Sequence, residues 1–246
     1  MHVLYDLIRR GEYSGEPIIA LGSSHGGYIA NLLSKFAPNT LSAVFDNSSY
    51  PSPPLHYVIG RDLRQAEASC RAPSLPNLVW LCNVKSGWSS FVENDNYFSK
   101  DRQEIRCFSG DTLTEMADYG GNRTVYRFYH SAHDAFVPAC SKLALAAALR
   151  ERGFDVYEYV MDEEDVDGRF VKNLSHGMGL SLRLMFERLY ATVDVFEGPT
   201  DIGLRSEIMF RGETHDYVFR YGSDGVRALC RSSGWARPAR AFGRVA

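Results

Sequence analysis

The hexapeptide GSSHGG, residues 22–27, contains two serines that could act as nucleophiles. Only Ser24 has glycine both two positions before it and two positions after it, at Gly22 and Gly26. This is the G-x-S-x-G pattern, in which a serine on a tight turn adopts strained backbone angles while its small neighbours let a strand and a helix approach each other. An ordinary glycine-rich connection is the alternative interpretation, and the bare pattern does not exclude it.

The segments on both sides of this hexapeptide favour a reactive serine. Residues 18–21, IIAL, form a β-branched run bounded by turn signals, which is typical of a buried parallel strand. In the segment after Gly27, the apolar residues at 29, 32, 33 and 36 have helical spacing. Ser24 would therefore lie between a strand and a helix, beside the positive end of the helix dipole.

Two candidates for proton transfer follow later strands. Residues 125–129 are a predicted strand, and Asp134 lies in the loop after it. Residues 155–161 are the next predicted strand, and His176 lies beyond the acidic loop that follows. Sites in open parallel sheets form at the carboxyl ends of the strands, so we expect both side chains to reach Ser24.

The order of these three candidates resembles that of the α/β-hydrolase superfamily, in which a serine is followed by an acid and then by a histidine. The loop HSAHDAFVP, residues 130–138, is similar to its acid-bearing loop, and SHGMG, residues 175–179, to its histidine loop. The segments GSSHGGYIANLL and FDNSSY also resemble a little-characterised bacterial branch of that superfamily. The resemblance extends from about residue 3 to residue 190.

This resemblance implies a serine hydrolase that acts on an ester or a related acyl substrate. Ser24 would attack the acyl carbon, and His176 would take its proton and pass it to the leaving group. Asp134 would fix the tautomer of the imidazole, and the backbone N–H of His25 would donate a hydrogen bond to the oxyanion. Asp46 is an alternative acid, because it also ends a predicted strand.

Two other functions are compatible with the sequence. One is metal-dependent hydrolysis at a cluster of His130, His133, Asp134 and His176, although H-x-x-H on a loop is a weak zinc signal and would leave the serine pattern unexplained. The other is a non-catalytic hydrolase remnant or binding protein. For the favoured serine hydrolase we expect no metal and no cofactor.

Apolar runs that alternate with helical patterns predict an α/β fold with a mostly parallel sheet and flanking helices. The predicted strands are residues 18–21, 41–46, 125–129 and 155–161. Relative to the superfamily, we expect an incomplete fold without the N-terminal strands, because 17 residues precede IIAL and no HGGG-like segment occurs. The second oxyanion donor would then be missing, which would impair activity, and IIAL would form an exposed edge open to a partner or to self-association.

The domain prediction has two parts. Residues 1–200 form a partial hydrolase domain, in which residues 49–123 are an insertion or a lid-like region. Side chains of that region that could line a substrate pocket are Tyr50, His56, Tyr57, Trp88 and Phe91. Residues 201–246 contain an alternating segment typical of a β-hairpin, and the basic segment after it predicts a flexible tail.

Composition narrows the classes of partner and compartment. The 246 residues carry a net charge of -3, which gives no electrostatic case for nucleic acid. The sequence has no apolar run of the ~18 residues that would indicate a membrane span, and no signal peptide. The five cysteines are scattered without a CxxC pair, so a zinc knuckle or a disulfide framework is not expected. We therefore expect a cytoplasmic protein with a small-molecule acyl substrate and no nucleic-acid or membrane partner.

Overall fold

The computed structural model describes most of the chain. The described residues are 2–38, 40–53, 67–71, 79–83, 87–108, 110–119, 123–195, 207–222 and 225–233. They divide into two compact units, Met1–Pro51 with Phe108–Ala246, and Ser52–Cys107. The predicted pocket residues His56 and Tyr57 lie outside the described residues, as does most of the predicted tail.

The elements of the described residues follow one another in this order. They are α1 (His2–Arg9), β1 (Ile19–Ser23), α2 (His25–Phe36), β2 (Ala43–Asn47), β3 (Glu67–Arg71), β4 (Val79–Asn83), α3 (Lys100–Glu104), α4 (Gly110–Asp118), β5 (Val125–Ser131), α5 (Ala139–Arg150), β6 (Val156–Met161), α6 (Leu182–Tyr190), β7 (Glu207–Phe210), β8 (His215–Gly222) and β9 (Gly225–Ser232). A short 3₁₀ turn, Glu163–Asp165, follows β6.

The main sheet of the first unit has four strands in the order β1, β2, β5, β6, and all neighbouring pairs are parallel. The predicted fold class, a mostly parallel α/β sheet with flanking helices, is confirmed. Each of the four predicted strands overlaps an observed strand of this sheet. Their carboxyl ends lie at one edge, and β1 is an outer strand of the sheet among the described residues.

Helices cover both faces of this sheet. All five residues of β2 are buried, which is expected for a strand with packed layers above and below it. On one face Phe45 packs in a cluster with Met185 and Leu189 of α6. On the other face the hydroxyl of Tyr126 donates a hydrogen bond to Ser34 of α2 at 2.8 Å. The sheet is therefore held on both sides, and its carboxyl edge is a rigid base for loops.

The segment predicted as a hairpin forms an antiparallel pair, β7 with β8, and β9 extends it to a three-stranded sheet. Strand β9 lies beyond the predicted hairpin and was not expected. This sheet belongs to the first unit and packs on the end of α2. The hydroxyl of Tyr221 donates to the carbonyl of Phe36 at 2.7 Å, and the rings of Phe219 and Phe36 have their centres 4.7 Å apart. The third sheet thus supports the end of α2 that is remote from Ser24.

The second unit lies within the region predicted as an insertion, residues 49–123, and its lid-like role stays a prediction. It contains the antiparallel pair β3–β4 and helix α3. Trp88 lies beneath the guanidinium groups of Arg102 and Arg106, at 4.9 and 5.1 Å from the ring centre, whereas the side chain of Phe91 is exposed.

Helix α4 begins at Gly110 and carries the carboxylate of Asp111 in its first turn. None of the helices that the structure describes is both long enough and apolar enough to cross a membrane.

Candidate active site

Ser24 occupies the junction between β1 and α2, with φ 53° and ψ -119°. Such a positive φ is uncommon for a residue with a side chain and costs about 1–3 kcal/mol, which the surrounding contacts must offset. The N–H of Ser24 donates to the carbonyl of Asn47 at 2.7 Å, and its carbonyl accepts the first helical bond from Tyr28 at 3.0 Å. Its hydroxyl does not cap the helix. A serine at a helix start usually does so, and here the hydroxyl is directed elsewhere.

Two glycines, and not the predicted pair, make this turn possible. A Cβ at Gly22 would lie 2.2 Å from the carbonyl carbon of Gly26, and one at Gly27 would lie 2.3 Å from Oδ1 of Asp46. A Cβ at Gly26 would meet nothing within 4 Å. The prediction that Gly22 and Gly26 both permit the close approach is therefore right for Gly22 and wrong for Gly26, whose place is taken by Gly27.

A matched pair of substitutions tests this difference. We expect Gly27→Ala to lower the free energy of unfolding by about 1–3 kcal/mol, because the added methyl group overpacks the site beside Asp46. Gly26→Ala is expected to leave stability unchanged or to raise it by up to about 1 kcal/mol, since alanine is the better helix former. Urea unfolding of both variants measures the two values. Equal effects at the two positions would contradict this explanation.

His176 lies beside the hydroxyl of Ser24, with Nε2 at 2.7 Å from Oγ. It is carried by a tight loop in which Gly177, Met178 and Gly179 all have positive φ. The carbonyl of Met178 accepts a hydrogen bond from the N–H of Lys172 at 3.0 Å, which closes the loop back on the preceding segment. The imidazole is 27% exposed, so one side of it is open to a substrate.

Asp134 contacts the other ring nitrogen, with Oδ2 at 2.8 Å from Nδ1 of His176. Its side chain is fully buried, and Oδ1 accepts hydrogen bonds from the N–H groups of Phe136 and Val137, both at 2.9 Å. An ionised carboxylate only accepts, so Nδ1 of His176 carries the hydrogen and Nε2 presents a lone pair to Ser24. This is the tautomer that can take a proton from the serine. Ser24, His176 and Asp134, which were expected to lie together, form one hydrogen-bonded chain in the structure.

Two histidines of the same region have other partners. Nε2 of His130 donates to the carbonyl of Val137 at 2.8 Å, and burial lowers the pKa of this histidine. His133 is exposed and pairs with Glu163 at 3.0 Å. Among the described residues there is no group of three or more His, Cys, Asp or Glu arranged to hold a metal ion. The cluster of histidines and Asp134 that would have bound zinc is therefore not assembled in this part of the chain.

Asp46, the alternative acid, does not contact His176. It is fully buried in a polar cluster with Asn31, Ser49 and Lys142, in which its Oδ2 accepts from Asn31 at 2.8 Å and from Lys142 at 2.5 Å. Burial lowers the pKa of Lys142, and the carboxylate of Asp46 opposes that shift. Asp46 therefore ties α2 and α5 to the sheet, and the structure does not place this alternative acid beside His176.

His25, the residue after Ser24, is in the first turn of α2. No acceptor in the described part of the chain binds its backbone N–H, which is one of the free donors at a helix start. Its side chain is exposed, and Nδ1 lies 2.5 Å from the hydroxyl of Tyr50. The N–H of His25 is thus available beside Ser24, and its role as an oxyanion donor stays a prediction.

The sequence of this chain matches, over residues 1–194, the model of a family described as protein of unknown function (DUF2920). The chain belongs to the DUF2920 family. No curated protein matches the sequence of this DUF2920 member.

Solved structures similar to the DUF2920 chain include three enzymes. The acylaminoacyl peptidase of Pyrococcus horikoshii is 15% identical with a TM-score of 0.46, and the match covers 82% of this chain and 28% of that one. MGS-MChE2, an alpha/beta hydrolase from a sediment metagenome of the Mar Chica lagoon, is 16% identical with a TM-score of 0.38, over 77% and 65% of the chains. Esterase 2 of Thermogutta terrifontis is 13% identical with a TM-score of 0.32, over 74% and 57%. The DUF2920 chain thus spans less than a third of the length of the peptidase.

Two residues of the DUF2920 site were not singled out from the sequence. Gly27 lies against Asp46. The pair of glycines after His25 was the sequence feature that could have indicated this close contact. Asn47 contacts the segments of both Ser24 and His176, and it stands in the quoted segment FDNSSY. No motif distinguishes it from an ordinary strand-end asparagine.

Proposed function

We propose that the chain is a serine hydrolase that cleaves an ester or a related acyl substrate. The observation that carries this proposal is the continuous hydrogen-bonded chain from Ser24 through His176 to Asp134, with links of 2.7 and 2.8 Å. The positive φ of Ser24 and the unused capping position of its hydroxyl support the same interpretation, because a merely structural serine needs neither.

The first half of the reaction follows from the protonation states of the triad. Oγ of Ser24 attacks the acyl carbon while Nε2 of His176 takes its proton, which gives an imidazolium and a tetrahedral oxyanion. Asp134 stabilises the imidazolium without itself taking the proton. The imidazolium then protonates the leaving alcohol as the bond to the acyl carbon breaks, and an acyl-serine remains.

The second half regenerates the enzyme. His176 takes a proton from water, the hydroxide attacks the acyl-serine, and the proton returns to Oγ as the carboxylic acid leaves. In both halves the backbone N–H of His25 is the donor that we assign to the oxyanion, with the positive end of the α2 dipole behind it. Such preorganised donors are worth about 2.7–4 kcal/mol each to the transition state.

Asp134→Asn tests this function through the tautomer of His176. An asparagine amide can donate to Nδ1, which places the ring hydrogen on Nε2 and removes the acceptor that Ser24 needs. We expect kcat for p-nitrophenyl acetate to fall by about 10⁴-fold while the protein stays folded. The measurement is the steady-state rate at neutral pH, with circular dichroism as the check on folding.

Asp194→Asn is the matched control, because it makes the same chemical change at an exposed position. It should retain the wild-type rate. Hydrolysis by the wild type at the rate of the buffer, or a folded Asp134→Asn variant with undiminished kcat, would rule out the proposed function.

A further inference from the structure

We propose that Asn47 is a positioning residue that fixes the turn of Ser24 and the loop of His176 relative to each other. This role rests on the proposed function, since it concerns the alignment of the two reacting side chains. Asn47 is the last residue of β2, which neighbours the strand that leads into Ser24, and 1% of it is exposed.

The amide of Asn47 bridges two segments that are far apart in the sequence. Nδ2 donates one hydrogen to Oγ of Ser23 and the other to the carbonyl of Gly177, both at 3.0 Å. Ser23 precedes Ser24, and Gly177 follows His176. The NH₂ group is planar and the angle between its hydrogens is fixed. It therefore constrains the distance between Ser23, next to the nucleophile, and Gly177, next to the base.

The remaining polar groups of Asn47 hold it in this orientation. Its Oδ1 accepts from the hydroxyl of Ser48 at 3.0 Å, and its backbone carbonyl accepts from the N–H of Ser24 at 2.7 Å. Ser48 itself has φ 57° and donates its N–H to the carbonyl of Tyr129 at 2.9 Å, on the next strand. The amide is thus anchored to the sheet and cannot rotate without losing the three hydrogen bonds of its side chain.

Side chains at the ends of two strands attach the histidine loop to the sheet: Ser131 of β5 donates its hydroxyl to the carbonyl of Leu174 at 2.6 Å, and Asn47 of β2 holds Gly177. The loop's three consecutive residues with positive φ, Gly177 to Gly179, cannot join a regular strand or helix, so no ladder of backbone bonds fixes its height above the sheet. The bond from Asn47 attaches the first of them to the end of β2. A displacement of about 1 Å between reacting groups costs about 10²-fold in rate, so the loss of this bond should act on kcat.

A purely structural asparagine would behave differently. Its removal would lower stability and the amount of folded protein, but the folded fraction would keep its kcat, its KM and the hydrogen exchange of the histidine loop. Measurements of kcat, KM and hydrogen exchange therefore distinguish a positioning role of Asn47 from a purely structural one.

The experiment compares Asn47→Ala and Asn47→Asp with Ser23→Ala. Both changes at position 47 remove the NH₂ donor, and the aspartate preserves the volume if the alanine variant fails to fold. Ser23→Ala removes only the acceptor on the serine side and leaves the link to Gly177 in place. The readouts are kcat and KM for p-nitrophenyl acetate, each normalised to folded protein, and hydrogen exchange of the amides of residues 172–180.

We expect both changes at position 47 to lower kcat by about 10–100-fold with little change in KM, and to speed exchange in residues 172–180. Ser23→Ala should keep the slow exchange of that loop. Unchanged exchange and unchanged kcat in folded Asn47 variants would overturn the positioning role. Exchange is measured whether or not the protein is active, so an inactive wild type would contradict the proposed function while the role of Asn47 as an anchor would still be decided.

Discussion

Ser24→Ala is expected to lower kcat for ester hydrolysis by about 10⁴–10⁶-fold, since alanine cannot form the acyl intermediate. The change removes one oxygen atom from a half-buried turn whose backbone is fixed by Gly22 and by the bond to Asn47. The fold should therefore survive, and the loss should be a loss of chemistry. Steady-state rates with p-nitrophenyl acetate measure it.

Ser23→Ala is the sharpest control for this prediction. Ser23 is adjacent in sequence, but its Oγ accepts a hydrogen bond from Asn47 and is not bonded to His176. We expect it to retain kcat within about tenfold, because it loses only one hydrogen bond of about 1 kcal/mol. Asn47 remains attached to Gly177 through its NH₂ group and to Ser24 through its backbone carbonyl, so the two reacting segments stay aligned. A larger loss of kcat in Ser23→Ala than in Ser24→Ala would indicate that Ser23 is the nucleophile, and would contradict the assignment of Ser24.

Lys142→Met is expected to give the largest loss of stability, about 3–5 kcal/mol in the free energy of unfolding. The side chains of Lys142 and Asp46 are both completely buried, and the ammonium also lies 4.7 Å from the ring centre of Phe128. Removing the cation leaves the carboxylate of Asp46 with hydrogen bonds but without a countercharge in a medium of low polarity. Urea unfolding at neutral pH measures the difference.

Two further variants show whether the loss of stability in Lys142→Met comes from the unpaired buried charge. Lys172→Met removes an exposed lysine and should change stability by less than about 0.5 kcal/mol. The double variant Lys142→Met with Asp46→Asn should be more stable than Lys142→Met alone, because no buried charge is then left unpaired. A double variant that is less stable than both single variants would show that the cluster does not act as an ion pair.

The sheet and the triad could be predicted from the sequence for definite physical reasons. The strand around residues 18–21 is a short β-branched run between turn signals. The glycines of GSSHGG indicate a tight turn, because glycine tolerates the backbone angles and close contacts that such a turn needs. Asp134 and His176 could be placed because the carboxyl ends of parallel strands share one edge. These inferences need only local pattern and the geometry of a parallel sheet.

Other features depend on three-dimensional contacts that no local pattern records. Asp46 lies near the end of a strand and Asp134 follows one, so their positions in the sequence are similar. Because β2 is buried on both faces, no alternation of polar and apolar residues shows which way Asp46 points. Which of Gly26 and Gly27 lies against the sheet depends on the rotation of α2 about its axis, and G-x-S-x-G names only the first. Asn47 is recognisable only when the loop 130 residues away is in place.

The most direct measurement is the location of the adduct formed with a fluorophosphonate, which reacts covalently with activated serines. Wild-type protein, unfolded protein and the His176→Ala variant would be treated alike, digested, and searched for phosphonylated peptides by mass spectrometry. We predict one modified residue, Ser24, in the folded wild type, and none in the other two samples, because the serine is activated only by the assembled histidine. Modification of another serine, equal labelling of His176→Ala, or no labelling of the folded wild type would contradict a triad of Ser24, His176 and Asp134.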